Sequence, residues 1–214
     1  MTCTCNKKYK AFKKFIDSFE RASIGKPAPE FTTSAYCPCG EIKEINLNDY
    51  KGKYLILLFY PLDWTFVCPT EMLGYSELVP QLKELNCEII GVSVDSVYCH
   101  QAWCETDKKH GGVGKLNFML ASDITKKISI SYGMFNCEAA IARRGYVIID
   151  DKGIVRYMQI NDDGIGRNTA ETLRIVKALQ FTDKHGAVCP LNWNEGNDVI
   201  VPTPSGIKDY LSNH

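Results

Sequence analysis

The sequence predicts an α/β domain built on a mixed central sheet flanked by helices, with an extension at its N-terminus and an irregular arm at its C-terminus. Three observations carry that prediction. Residues 54–60 (YLILLFY) and 88–94 (EIIGVSV) are near-continuous apolar runs rich in β-formers, the pattern of strands buried on both faces. Between them Met72, Tyr75, Leu78, Val79, Leu82 and Leu85 recur at helical spacing, which completes a strand, helix, strand unit with parallel neighbours and a right-handed crossover. Residues 146–149 and 154–160 flank Asp151-Lys152-Gly153, a turn signal that makes an antiparallel hairpin and so a mixed sheet.

The remaining elements follow in order. Residues 1–24 open with Cys3 and Cys5, then a lysine-rich stretch in which Tyr9, Phe12, Phe15, Ile16 and Phe19 stand three to four apart, one apolar stripe on a helix. Asp17 and Glu20 and the lack of an early arginine argue against an import peptide, so the helix is expected to dock on its own domain or on a partner subunit. Residues 25–185 form the α/β domain. Its last helix opens at Asn168, with Glu171 three residues on and Leu173, Val176 and Leu179 facing the core. Residues 186–214 are rich in glycine, proline and asparagine and form the arm, with a short helix expected over 207–211.

Composition excludes several function classes. The 214 residues suffice for a self-supporting core. With 25 basic and 25 acidic residues the chain has no net field to gather nucleic acid or steer an anion, so any function must come from a local site. No apolar run approaches a membrane span and no secretory signal core is present, so a cytoplasmic protein is expected. The ten cysteines stand out: 3, 5, 37, 39, 68, 87, 99, 104, 137 and 189. In a chain read as intracellular these are reduced thiols, redox centres or ligands rather than a disulfide framework. Cys87, Cys99 and Cys104 adjoin apolar segments and are expected to pack as small hydrophobes.

One segment carries chemistry. Pro61-Leu-Asp-Trp-Thr65-Phe-Val-Cys68-Pro69-Thr-Glu71 follows the first central strand and opens the amphipathic helix. Pro69 suits the first helical position, which puts Cys68 at or near the N-cap, where unpaired amide hydrogens stabilise a negative sulfur. A peroxide attacked by a thiolate builds negative charge on the departing oxygen, so fixed donors are needed there. Thr65 and the Cys68 backbone N–H are two candidates, and Arg144, just before the strand at Tyr146, supplies positive charge. Pro61 ends the strand and walls the pocket.

These residues, as PxxxTxxC within FYPLDWTFVCPTE, resemble the active-site segment of typical two-cysteine peroxiredoxins. The resemblance continues through Val92-Ser-Val-Asp95-Ser96, Ser122-Asp123-Ile124, Arg144-Gly145, Ile149-Asp-Asp-Lys-Gly153, Gly166-Arg167 and His185-Gly-Ala-Val-Cys189-Pro190. It implies a thioredoxin-like fold, Cys68 as peroxidatic cysteine, Cys189 as resolving cysteine on the partner chain, and Arg144 rather than Arg143 as the active-site arginine. Hydrogen peroxide and alkyl hydroperoxides are the implied substrates, thioredoxin or a thioredoxin-like protein the reductant, and a homodimer or a decamer of five dimers the assembly. No cofactor and no metal are implied. Gly111-Gly-Val-Gly114 and Tyr210-Leu211 are partial matches to segments of relatives sensitive to overoxidation. Gly114-Lys115 lacks the glycine spacing and hydroxyl of a phosphate loop.

Two rival readings are weaker. The C-x-C pairs Cys3/Cys5 and Cys37/Cys39, the latter in an early hairpin, offer four thiolates for zinc, which would make a thiol-rich metal-binding or holdase protein, but C-x-C is a poorer ligand spacing than C-x-x-C. A thioredoxin-type disulfide reductase is disfavoured because position 71, where a second cysteine would stand, is Glu71.

Overall fold

The computed structural model describes residues 13, 14 and 16–214. Ile16 is helical, whereas Tyr9, Phe12 and Phe15 of the predicted stripe, with Cys3 and Cys5, lie outside the described residues. The described chain divides into two compact units, one ending at Arg167 and one spanning Asn168–His214.

The first unit is built on a seven-stranded sheet. Its strands are β1 (Thr32–Tyr36), β2 (Ile42–Asn46), β3 (Tyr54–Phe59), β4 (Cys87–Ser93), β5 (Met119–Ser122), β8 (Gly145–Ile149) and β9 (Val155–Ile160), in the order β2-β1-β5-β4-β3-β8-β9; β6 (Phe135–Asn136) and β7 (Ile141–Ala142) form a separate two-stranded ribbon. β3 pairs parallel with β4, Leu57 opposite Ile90, and antiparallel with β8, Leu57 opposite Val147. The sheet is therefore mixed, as the sequence predicts, and the β8–β9 hairpin forms through the Asp-Lys-Gly turn. All six residues of β3 are buried, the burial that a strand paired on both edges and covered on both faces requires.

Helix α1 (Val67–Glu84) joins β3 to β4, and its buried Met72, Tyr75, Val79 and Leu82 recur every three to four residues. α2 (Val97–Glu105) begins at Ser96, whose hydroxyl accepts from the Cys99 N–H, and α3 (Lys127–Ser131) follows β5. Phe31, Leu55, Leu57, Phe59, Tyr132, Val147 and Val155 share one core cluster. The start of α1 differs from the expectation: Phe66 takes the N-cap, Cys68 is the second helical residue and Pro69 the third, not the first. Proline still costs nothing there, because none of the first four amides of a helix has an intrahelical partner.

In the second unit α4 (Thr169–His185) opens at Asn168, whose side chain accepts from the Ala170 and Glu171 N–H groups, and closes at Gly186 in the left-handed region. Beyond it Val188 and Ile200 form an isolated bridge, and the Trp193 ring lies 5.1 Å from that of Phe181. α5 (Pro204–Asn213) is longer than the expected 207–211, because Thr203 caps it and Pro204 starts it.

Candidate active site

Cys68 is brought to the end of the central strand by the shortest available route. β3 ends at Phe59, a loop crosses residues 60–66, and α1 starts at Val67. Gly145 stands opposite Phe59 in the β3–β8 ladder, so Arg144, one residue earlier, is delivered to the same end of the sheet. Its guanidinium reaches the sulfur: Nη1 is 3.7 Å and Nη2 3.6 Å from the Cys68 Sγ. Cys68 is 1% and Arg144 3% exposed, so this contact is shielded from water and the charge acts at low dielectric.

A cation this deep needs a counter-charge, and Glu71 provides it. One helical turn after Cys68 and on the same face of α1, the buried carboxylate accepts from Arg144 Nη1 and from Arg167, whose backbone N–H and Nε both lie 2.8 Å from Oε1 and whose Nη2 lies 2.8 Å from Oε2. Arg167 also donates to the carbonyls of Phe59 and Gly145 at 2.6 Å each, tying the clamp to the ends of β3 and β8. Burial pushes the Glu71 carboxyl up, but the hydrogen bonds and charge of Arg167, with the charge of Arg144 added, hold it below its ordinary value. Burial weakens the Arg144 cation, and Glu71 and Cys68 outweigh that and hold its proton more tightly than usual.

The loop before Cys68 is pinned separately. The Tyr60 hydroxyl donates to Asp63 Oδ1 at 2.8 Å, His100 Nδ1 lies 2.8 Å from Oδ2, and the Asp63 N–H donates to Asp95 Oδ2 at 2.9 Å. Trp64, next in line, is held at φ +57°, a conformation a bulky residue adopts only when its surroundings impose it.

Of the residues expected from the sequence, the structure brings Cys68 and Arg144 into contact. Pro61 is buried in the loop. Thr65 is half-buried, and its hydroxyl donates to the Leu62 carbonyl at 3.0 Å, leaving the oxygen's lone pairs, rather than its proton, to face other groups. Cys189 belongs to the second unit, where its thiol points to the Ala178 carbonyl at 3.8 Å; burial pushes that thiol up, partly offset by Arg174. Burial pushes Cys87, Cys99 and Cys104 up to about 12, so they stay protonated and unreactive at neutral pH.

Sequence reasoning missed Glu71 and Arg167 as members of the site. Glu71 carries a signal: it is an acid one turn after Cys68 on the apolar face of its helix. Arg167, 96 residues away, has none beyond the Gly166-Arg167 motif.

The chain is similar to known proteins along most of its length. Residues 24–158 match the model of the AhpC/TSA family and residues 178–213 the C-terminal domain of 1-Cys peroxiredoxin. A putative peroxiredoxin of Entamoeba histolytica is 75% identical over 205 residues, 96% of this chain and 88% of that one. Peroxiredoxin-1 of Gallus gallus is 53% identical over 192 residues, 90% of this chain and 96% of that one. The crystal structure of reduced Plasmodium vivax 2-Cys peroxiredoxin superposes with a TM-score of 0.86 at 42% identity, covering 88% of this chain and 98% of that one.

Proposed function

The chain belongs to the AhpC/TSA family and is a peroxiredoxin with the thioredoxin-like fold, a thiol peroxidase; on that premise we propose that Cys68 attacks the hydroperoxide, Arg144 stabilises the departing charge, and Cys189 of a second subunit resolves the oxidised sulfur. The Cys68 thiolate forms an S–O bond with the terminal peroxide oxygen as the O–O bond breaks. The electron pair of that bond leaves on the other oxygen, which takes a proton and departs as water or an alcohol. The resulting sulfenic acid is attacked by the Cys189 thiol, which gives up its proton as water leaves and the disulfide closes. A dithiol reductant of the thioredoxin type then takes over the disulfide and returns both thiols.

The observation that carries this reading is the Arg144 guanidinium at 3.6 and 3.7 Å from a buried Sγ, a fixed cation already in place where charge develops. Pro61 and the half-buried Thr65 complete the pocket wall; the Thr65 oxygen, with its proton committed to Leu62, is free to receive the hydroperoxide's O–H. Residues 1–24 serve as an extension, 25–185 as the peroxidase domain and 186–214 as the arm carrying Cys189. Among the described residues no helix is long and apolar enough to cross a membrane, and we assign the enzyme to the cytoplasm as a homodimer that assembles further into a decamer.

Two experiments test this. In reductant-coupled hydrogen peroxide consumption Cys68→Ser should fall to background and Arg144→Gln should lose about 10²–10³-fold in kcat/KM, the range for removing one preorganised charge-stabilising donor. Unchanged turnover in Cys68→Ser ends the proposal. Peroxide-treated wild type should migrate as a covalent dimer on a denaturing, non-reducing gel, and the dimer should vanish in either Cys68→Ser or Cys189→Ser; a dimer that survives both would assign the cross-link to other cysteines.

A further inference from the structure

The peroxidase cycle leaves unused the Cys37-Pro38-Cys39-Gly40 turn that joins β1 to β2. The Gly40 N–H donates to the Cys37 carbonyl at 2.9 Å and the Cys37 N–H to the Glu41 carbonyl at 2.8 Å, while Gly40 sits at φ +90°. The backbone thus closes a tight turn in which only glycine fits the last position without strain. That turn sets two thiols side by side, two residues apart: Cys37 Sγ lies 4.0 Å from the Ala35 carbonyl oxygen and Cys39 Sγ 3.8 Å from Glu41 Oε2, and the charge of Cys39 acts on the Cys37 thiol. Cys37 is buried and Cys39 exposed, and both line a cavity of ≈ 270 Å³ whose wall also carries Cys104, Glu105 and Lys115.

We propose that Cys37 and Cys39 are a second redox couple, a dithiol that hydroperoxide closes to an intrachain disulfide and a thiol reductant reopens, independently of Cys68. Cys39 is the entry point, since it is the sulfur that solvent reaches. Its thiolate takes the terminal peroxide oxygen as the O–O bond breaks, and the other oxygen leaves as water or an alcohol after taking a proton. Cys37, across the same turn, then attacks the sulfenic sulfur, its proton leaving with the hydroxyl as water. The net change is two thiols and one hydroperoxide to one disulfide, one water and one water or alcohol. Burial disfavours the Cys37 thiolate while the nearby Lys43 cation favours it, which suits a second-step nucleophile that reacts only once its neighbour is oxidised. Cys104 does not compete, because burial pushes its thiol up to about 12. A ring closed across a single intervening residue is short, and strained disulfides are the readily reduced ones, so the couple is reversible.

The test uses the full-length Cys68→Ser protein, so that the catalytic sulfur neither consumes the oxidant nor exchanges with the pair. After hydrogen peroxide, alkylation and trypsin, the peptide spanning residues 22–43 contains these two cysteines and no others. It should be lighter by two hydrogens and carry no alkyl group, and dithiothreitol before alkylation should restore two alkylation sites. With Cys39→Ser added, Cys37 should remain alkylatable. Two free thiols after peroxide, Cys39 carried to sulfinic acid beside an alkylated Cys37, or Cys39 linked to a cysteine outside the peptide would each overturn the proposal. Cys37→Ser/Cys39→Ser in the otherwise wild-type chain should keep peroxidase turnover within about two-fold, as for substitutions away from a site; a larger loss would overturn the independence from Cys68.

Discussion

Glu71 accepts hydrogen bonds from two arginines and so decides where both cations sit. Because its carboxyl is held below the ordinary value of 4.5, the folded state binds fewer protons than the unfolded chain as the pH drops past that value. Its contribution to stability is therefore complete above pH 4.5 and lost as the pH falls through the lower, folded value. Glu71→Gln should destabilise the protein by about 3–5 kcal/mol at neutral pH, the range for breaking a buried ion pair. In thermal melts from pH 7 to 3 the gap between wild type and variant should hold steady to about pH 4.5, the ordinary carboxylate value, and then close. A gap that widens on acidification would show that the clamp is not what holds the carboxylate ionised.

Local pattern made Cys68 legible by its place at a proline-marked helix start, whereas Arg144 was only a candidate by its place before a strand and was singled out by the family resemblance. Glu71 escaped for a physical reason. An acid on a helix ordinarily faces water, and only knowledge that two cations converge on the face it shares with Cys68 turns it inward. Arg167 escaped because its partners, the carbonyls of Phe59 and Gly145 and the carboxylate of Glu71, are assembled by tertiary pairing and leave no local pattern.

The elements were more legible than the site. β3 and β4 announced themselves by continuous apolar runs, the β8–β9 hairpin by its turn, and α4 by Asn168. The sheet edge was less so: β1 and β2 have several exposed residues, so burial wrote a weaker alternation into them. The start of α1 was misplaced by two positions because proline is tolerated throughout the first turn, not at one position alone. At the β3–β8 junction the chain needs a glycine for contact rather than for torsion: a Cβ on Gly145 would lie 2.6 Å from both the Gln159 carbonyl oxygen and the Met134 sulfur. Gly145→Ala should cost about 1–3 kcal/mol, as overpacking does, read as a lower urea midpoint. It should also lower kcat/KM for peroxide, because the shifted backbone carries Arg144 with it. Wild-type stability and activity in this variant would show that β8 has slack at its first residue.

At the scale of the molecule, several large apolar side chains lie outside the core, and two of them, Trp64 and Phe66, stand in the loop before Cys68. Phe66 is 93%, Tyr98 72% and Trp64 46% exposed. Aromatic groups left in water beside an active site are the anchors from which subunit interfaces are made. Phe66→Asp should therefore reduce the assembly to smaller species in sedimentation velocity, while leaving the monomer folded because the side chain supports no core contact. An unchanged sedimentation profile would place the interface elsewhere.

The clamp around Cys68 also has a balance of charge. On the proposed mechanism two guanidinium cations, Arg144 and Arg167, face two anions, the Glu71 carboxylate and the attacking Cys68 sulfur, so the charges balance before turnover. Oxidation removes one anion, since neither a sulfenic acid nor a disulfide carries its charge. One positive charge is then left without a counter-charge in a site shielded from water, which is costly. On that mechanism the charges of the pocket are matched in the reduced, substrate-ready state and unmatched once the sulfur is oxidised.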